Sequence, residues 1–485
     1  MMALDVLITT GRIAQDPVGR EFIGYLQREA NRLGLDDAAL YYDFPAYSDY
    51  ETITHKPDAL LISRLHGILA IRFANIDMSH LSVAAFGPID ESLGQFCSIL
   101  IGRLLKSRSL RRGLSSLRFE ITPVLYIPGG HVQTPKIENS QTVFSLTGFD
   151  QLFQKLTADK LDSEAFAETR SVVEGAKALT RPQRRVIENP VVQKQAIALA
   201  NLEADIANFD QQQRRAALVT VPGPQRIRGL AGSGKTVILA MKAAHLHLTR
   251  PDQQILVTFF TRSLRASIKN LITKFFRNYK DEDPDWERIH IRHGWGGTNA
   301  TGTYADACKR QGRIPLSLAS AQQGAMGKDP FDFACRDLIQ KNEIEPYYDH
   351  VLIDEGQDFP GGFYELCFAL AKGNRDEKSI VWAYDELQNI LDVTIRTPEE
   401  LFGKDIDGNP RVSLERTAGR LPPGAANDTV LSKCYRNQRE VLVTAHALGF
   451  GIYGEIVQML ESREHWQDVG YEVVSNERFT DGQPV

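Results

Sequence analysis

The chain has 485 residues, 42% of them hydrophobic and 24% charged, with a net charge of −5 and a pI near 6.2. That length excludes a single hydrophobic core and points to two to four domains of ordinary soluble composition. The mildly acidic balance excludes binding to nucleic acid by global charge, so such binding would rest on local patches. No apolar run reaches the length of a membrane span, and the opening MMALDVLITTGR lacks the basic and apolar regions of a secretory signal. The five cysteines, at 97, 308, 335, 367 and 434, show no metal-ligand spacing and suit a reduced cytoplasm.

The predicted elements begin with a small α/β domain over residues 1–135. PDALLIS (57–63) and HGILAIRFA (66–74) are two strands joined by a Gly-containing turn, and RFEITPVLYIPGG (118–130) is another, closed by Pro and Gly. The stretch 89–110 has helical periodicity and opens with acids, as a helix start favours. Its basic end, RLLKSRSLRRGLSSLR (103–118), is either a solvated helix end or a phosphate-facing patch. Residues 150–215 are rich in Ala, Leu, Gln and charge and read as helices, and 136–204 are expected to form a helical linker.

From about residue 205 to 425 strands and helices alternate, with a less regular insertion at about 280–345. QRIRGL (225–230), QILVTFF (254–260), VLI (351–353) and SIVWAY (379–384) are expected strands, with helices after the first two and another over 331–341. Such alternation predicts a parallel sheet covered by helices on both faces, with the ligand outside the carboxyl ends of its strands. Asp385 would lie on that edge.

Residues 229–236 read GLAGSGKT and fit G-x-x-x-x-G-K-[ST] between a strand and a helix. Gly229, Gly232 and Gly234 let backbone N–H groups turn inward around phosphate oxygens, with Ser233 between them. Lys235 adds a point charge for the β- and γ-phosphates, and the Thr236 hydroxyl can ligate Mg²⁺. HVLIDEGQDFP (350–360) places three carboxylates at the tip of a buried strand. Asp354 can hold the same Mg²⁺, and Glu355 can polarise the attacking water.

DEGQD after an apolar strand, with GLAGSGKT upstream, resembles the superfamily 1 helicases of the UvrD/Rep-like group. Four further stretches resemble that group's motifs in the same order: DQQQRRAAL (210–218), VTFFTRSL (257–264), WAYDELQNI (382–390) and LSKCYRNQREVL (431–442). The resemblance implies a RecA-like P-loop NTPase sheet, ATP and Mg²⁺ as ligands, and single-stranded or tailed double-stranded DNA as partner. It implies that Gln213 reads the adenine edge and that Gln388 links the γ-phosphate to the DNA site. Tyr435 would stack on the adenine, Arg436 would sense the γ-phosphate, and Gln357 would belong to the network coupling ATP to DNA. Of Phe259 and Phe260, which the resemblance places on DNA, strand pattern assigns at least one to the core and base stacking suits the other. His293 and Trp295 either touch DNA or serve local structure.

Residues 426–485 would begin a second motor domain that the chain does not complete, so the sequence is expected to be a fragment or to be completed by another polypeptide. Pro57-Asp58 with HGILAIRFA resembles nuclease-related domains of the PD-(D/E)xK type, but Arg72 and Ala74 stand where that pattern has its Glu and Lys. The resemblance then implies a nuclease fold without nuclease activity. The expected function is a cytoplasmic, Mg²⁺-dependent DNA helicase or translocase. The alternative is a nucleotide-gated DNA-binding or scaffold ATPase of a repair or defence complex that does not unwind.

Overall fold

A computed structural model describes residues 4–48, 53–74, 83–113, 115–129, 137–156, 161–176, 210–385, 396–422, 425–436, 441–442 and 444–445. The fold is mixed α/β with parallel strands, and the described residues fall into two compact units. The first lies within Met1–Phe209, with Lys274–Asp283 and Pro422–Ala425; the second lies within Asp210–Thr273, Pro284–Leu421 and Ala426–Val485. Among the described residues no helix is long and apolar enough to cross a membrane.

The first unit is built on strands β1 (Asp5–Ile8), β2 (Ala39–Tyr42), β5 (Ala59–Ser63), β6 (Gly67–Phe73), β7 (Ile121–Tyr126) and β8 (Gln141–Val143), hydrogen-bonded in that order. A separate two-stranded ribbon pairs β3 (Tyr47–Ser48) with β4 (Thr54–His55). The strand pair expected from the sequence is the antiparallel hairpin of β5 and β6, turned at Gly67 with φ +76°. The expected helix runs Val83–Leu104, six residues ahead of its predicted start, and carries Pro88 inside it. The strands β1, β2 and β8 were not legible in the sequence. Because β8 pairs with β7, and Phe149, Leu152 and Phe153 enter the same core, this unit continues past residue 135 into the stretch expected to be linker.

Asp58, expected from the sequence to mark a nuclease-related pattern, is buried and paired with Arg12 at 2.8 Å and Arg72 at 3.5 Å, while its Oδ2 accepts from Phe73 N at 2.8 Å. Asp43 next to it meets Lys56 at 2.6 Å and Arg12 at 3.2 Å. Both carboxylates are therefore held by cations of the chain itself, and Ala74 is buried in apolar surroundings.

The second unit has a six-stranded sheet in which every pairing is parallel. Its strands are β9 (Gln225–Gly229), β10 (Ile255–Phe259), β11 (Ile289–His293), β12 (His350–Ile353), β13 (Ser379–Tyr384) and β14 (Asp428–Leu431), in the spatial order β11-β10-β12-β13-β9-β14. The interior strands read as continuous apolar runs because both sheet faces are covered; all of His350–Ile353 and Ile255–Phe259 is buried. The edge strands β11 and β14 lie in stretches that periodicity left irregular or assigned elsewhere. In particular, β14 pairs with β9 in register Leu431↔Gly229, so residues 428–431, expected to open a second motor domain, are an edge of this sheet. Arg226 and Arg228 on β9 both hold Asp428 on β14, at 2.6 and 2.9 Å, which fixes that register with charge.

Candidate nucleotide site

Parallel alignment puts the carboxyl ends of β9, β12, β13 and β14 on one edge, and each end hands over to a motif. β9 ends at Gly229 and the helix Lys235–Thr249 starts six residues later. Gly232 and Gly234 take φ of +82° and +92°, angles that side-chain-bearing residues rarely adopt, so the turn between strand and helix can be this tight. Gly229 is needed for close approach instead: a Cβ there would stand 2.7 Å from Ser233 Oγ and 2.8 Å from Leu431 Cβ.

Lys235 is 7% exposed, and its Nζ donates to Gly229 O at 2.6 Å and Leu230 O at 3.1 Å, with Asp385 Oδ2 at 3.6 Å. Its neighbour Thr236 donates from Oγ1 to Asp354 Oδ2 at 2.7 Å. Asp354 is 1% exposed, and its pKa is pushed up to about 6 by burial and, next, by Glu355 beside it; the Thr236 hydrogen bond opposes that rise. The buried hydroxyl of Ser233 has no hydrogen-bond partner among the described residues. A positive charge at the foot of a glycine turn, a hydroxyl–carboxylate pair one residue further and an unsatisfied buried hydroxyl fit a magnesium-bound polyphosphate. Thr236 and Asp354 would be the metal ligands.

Glu355 takes φ +51° and ψ +46°, a left-handed conformation that costs a non-glycine residue about 1 kcal/mol. Its Oε2 accepts from Gln357 Nε2 at 2.7 Å, while Gln357 Oε1 accepts from Asp385 N at 3.1 Å. Gln357 thus joins the end of β12 to the end of β13. Arg396 closes the same turn by donating to Phe359 O at 2.9 Å. Gln388, expected to carry that link onward, lies outside the described residues.

The segment after β14 returns to the glycine turn. Tyr435 N donates to Gly232 O at 2.9 Å, Cys434 Sγ lies 3.1 Å from Ala231 O, and a Cβ on Gly232 would be 2.4 Å from that of Arg436. The structure therefore brings Tyr435 and Arg436 onto the turn through strand β14 of the same sheet. Tyr435 donates its phenol to Asp210 Oδ2 at 2.6 Å. Asp210 caps the helix Gln211–Leu218 and forms a reciprocal capping box with Gln213. Gln213, expected to read an adenine edge, is 4% exposed and has both ends of its amide engaged: Oε1 accepts from Asp210 N at 3.1 Å, and Nε2 donates to Ser233 O at 2.9 Å. Asp210 was not singled out in the sequence, although Asp-x-x-Gln ahead of a helix is a capping-box signal.

The two phenylalanines at the carboxyl end of β10, Phe259 within it and Phe260 just past it, part company. Phe259 is completely buried, whereas Phe260 is 48% exposed with its ring 5.6 Å from that of Phe359. Phe259 thus belongs to the core and is not available to a base. Phe260 lines a cavity of about 560 Å³ with Arg262, His293, Trp295, Leu316 and Asp358. Trp295 stacks on Phe331 at 4.9 Å and donates to Leu316 O, so part of its role is local structure. His293 Nε2 accepts from Gly296 N at 2.9 Å, and Arg262 Nε lies 3.2 Å from it. Burial, followed by Arg262 and Arg265, lowers the His293 pKa, so the imidazole that accepts these bonds is neutral.

No protein-family model and no curated protein matches the chain. Among solved structures the chain is similar to the crystal structure of the UvsW helicase from Bacteriophage T4, at 13% identity, over 36% of this chain and 51% of that chain, with a TM-score of 0.21. The chain spans about half the length of that helicase, and a likeness this slight carries no functional inference.

Proposed function

We propose that the chain is a Mg²⁺-dependent ATPase of the UvrD-like superfamily 1 type that couples hydrolysis to movement on single-stranded DNA. The observation that carries this reading is the 2.7 Å contact of Thr236 with Asp354, with the Lys235 ammonium held at the same turn. Two motifs far apart in sequence meet at the one sheet edge where α/β proteins bind ligands.

Glycine-turn N–H groups and Lys235 would bind the phosphate chain, the ammonium exchanging its two carbonyl acceptors for phosphate oxygens. Thr236 and Asp354 would hold Mg²⁺, which supplies charge neutralisation to the β- and γ-phosphate oxygens. Glu355 would accept a proton from the attacking water as its oxygen bonds to the γ-phosphorus and the bond to the β,γ-bridging oxygen breaks, releasing ADP and phosphate. Gln357 holds the Glu355 carboxylate in place. Arg436, carried to the turn by β14, would meet charge developing on the transferred group.

The turn 354–360 supports coupling to nucleic acid. Glu355 and Gln357 stand at its start, Asp358 lines the cavity that contains Phe260, and the Phe359 ring lies 5.6 Å from that of Phe260. An exposed aromatic ring beside Arg262 suits a base and its phosphate.

The test is phosphate release from ATP with and without single-stranded DNA, followed by strand separation on a tailed duplex. DNA-stimulated turnover with unwinding supports the motor. Turnover without unwinding moves the protein to the nucleotide-gated binder, and a Lys235→Ala variant with full turnover refutes both.

A further inference from the structure

We propose that the first unit holds a metal-independent site for a phosphodiester of a nucleic-acid strand, formed by Arg12, Lys56 and Arg72 over the carboxylate pair Asp43 and Asp58. The choice of nucleic acid as carrier of the phosphate rests on the DNA reading given above. The phosphate site itself rests on the geometry of this unit alone.

Topology gathers these residues. β1 runs parallel to β2, β5 runs antiparallel to β2, and β6 runs antiparallel to β5. The carboxyl ends of β1, β2 and β6 and the start of β5 therefore share one edge of the sheet. Arg12 follows β1, Asp43 follows β2, Lys56 and Asp58 precede β5, and Arg72 lies near the end of β6. That edge is where α/β sheets hold ligands.

The cluster is layered by charge. The side chains of Asp43 and Asp58 are 5% and 2% exposed, whereas those of Arg12, Lys56 and Arg72 are 45%, 37% and 28% exposed. Arg12 bridges the two acids, with Nη1 3.2 Å from Asp43 Oδ1 and Nη2 2.8 Å from Asp58 Oδ1. A guanidinium thus supplies the positive charge between two carboxylates that a divalent cation would otherwise supply. Lys56 Nζ meets Asp43 Oδ1 at 2.6 Å, Thr10 Oγ1 donates to Asp43 Oδ2 at 2.8 Å, and Arg72 Nη1 donates to Lys56 O at 3.2 Å. Asp16, at the head of the helix Pro17–Glu29, is bonded instead to Gly19 N and the Tyr42 phenol.

The cations keep donors to offer. A guanidinium carries five N–H groups and an ammonium three. Arg12 directs two nitrogens at carboxylates, and Lys56 directs its ammonium at one. Arg72 Nε is buried with no hydrogen-bond partner, 3.5 Å from Asp58 Oδ2. Three cations against two carboxylates leave one positive charge, and it lies on the exposed side of the cluster. Stability alone does not call for such a network, since apolar residues of similar volume serve a buried position as well or better. An arginine fork braced from below by carboxylates is pre-organised for phosphate oxygens. A phosphodiester carries one negative charge and matches the surplus.

The experiment follows fluorescence anisotropy of a labelled tailed DNA duplex with the full chain, without nucleotide, in EDTA, over a salt series. Lys56→Gln should weaken binding by about fivefold at low salt and flatten the slope of log affinity against log salt by about one. Asp43→Asn should tighten binding by about threefold, because it removes a charge that Lys56 and Arg12 now face. Asparagine also suits the left-handed φ of +59° at this position, so the variant should fold. Opposite signs are decisive: a network serving only the fold would weaken binding in both variants or in neither. An unchanged slope in Lys56→Gln, or no tightening in Asp43→Asn, overturns the site. A Lys56 effect that appears only with Mg²⁺ overturns its independence of metal. Calorimetric titration with inorganic phosphate separates the carriers: if Lys56→Gln shifts phosphate binding but not DNA binding, the nucleic-acid assignment is overturned. DNA binding through Lys56 without DNA-stimulated ATP turnover would refute the motor and uphold the site.

Discussion

Thr236 and Asp354 are 118 positions apart, yet the threonine hydroxyl donates to the aspartate carboxylate at 2.7 Å. The pair brings the glycine turn after β9 to the acidic turn after β12, across the intervening strand β13. Because Lys235 precedes the one and Glu355 follows the other, this single contact brings an ammonium, a hydroxyl and two carboxylates to one place. Lys235→Ala should reduce phosphate release by more than about a hundredfold, the cost of losing one pre-positioned charge at a transferred group. Glu355→Gln should keep nucleotide affinity while turnover falls by about 10²–10⁴. Steady-state phosphate release and fluorescent-nucleotide titration measure the two effects.

Asp354 gives a pH dependence whose sign is fixed. Its folded pKa is raised to about 6 against an ordinary 3.8, so its contribution favours the fold below 3.8 and is lost as pH rises through about 6. The ionised carboxylate at pH 8 therefore costs the metal-free protein about 2–3 kcal/mol. Asp354→Asn, whose amide can still meet Thr236, should raise the melting temperature at pH 8, leave it nearly unchanged at pH 4, and abolish Mg²⁺-dependent turnover. A melting temperature that falls at pH 8 would show that the carboxylate is not strained in this way.

Phe259 and Phe260 make a matched pair of probes. Phe259→Ala empties a completely buried site and should destabilise the second unit by about 3–5 kcal/mol in urea unfolding. Phe260→Ala removes an exposed ring and should change stability little. It should raise the single-stranded DNA concentration needed for half-maximal stimulation by roughly tenfold, the scale of one lost base stack. Equal DNA responses in the parent and the Phe260 variant would remove Phe260 from the nucleic-acid path.

His350 opens β12 as a buried neutral imidazole, with Ser379 Oγ 2.8 Å from Nδ1 and Gln253 Oε1 2.7 Å from Nε2. Burial, and then Arg250, lowers its pKa to about 3 from 6.5. A depressed folded pKa contributes stability that is complete above 6.5 and is lost as pH falls toward 3. His290, lowered to about 4, adds to the same window. His350→Gln should flatten the fall of melting temperature between pH 6.5 and 4, as followed by circular dichroism.

The interior strands and the glycine and acidic turns that end two of them were legible in the sequence because their signals are local. A strand covered on both faces is a run of apolar residues, and a turn around phosphates needs glycines at fixed steps before a Lys and a Thr. The order of motifs along the chain likewise told which strand ends to watch. The edge strands were not legible. Ile289–His293 carries two histidines and an arginine, and Asp428–Leu431 has three half-buried residues ahead of the buried Leu431; neither has the apolar run of a central strand. Their place is set by partners far away, Asp428 by Arg226 and Arg228 some two hundred positions earlier.

Sequence by itself determined which side chains stand at the ends of which interior strands, since periodicity and glycine spacing act over a few residues. Tertiary structure alone decided which of two adjacent phenylalanines faces solvent, that the amide of Gln213 meets the glycine turn, and that Tyr435 and Arg436 reach that turn from β14. Those outcomes depend on where a strand ends against its neighbours and on hydrogen bonds between groups 20 to 225 positions apart, which no local pattern encodes.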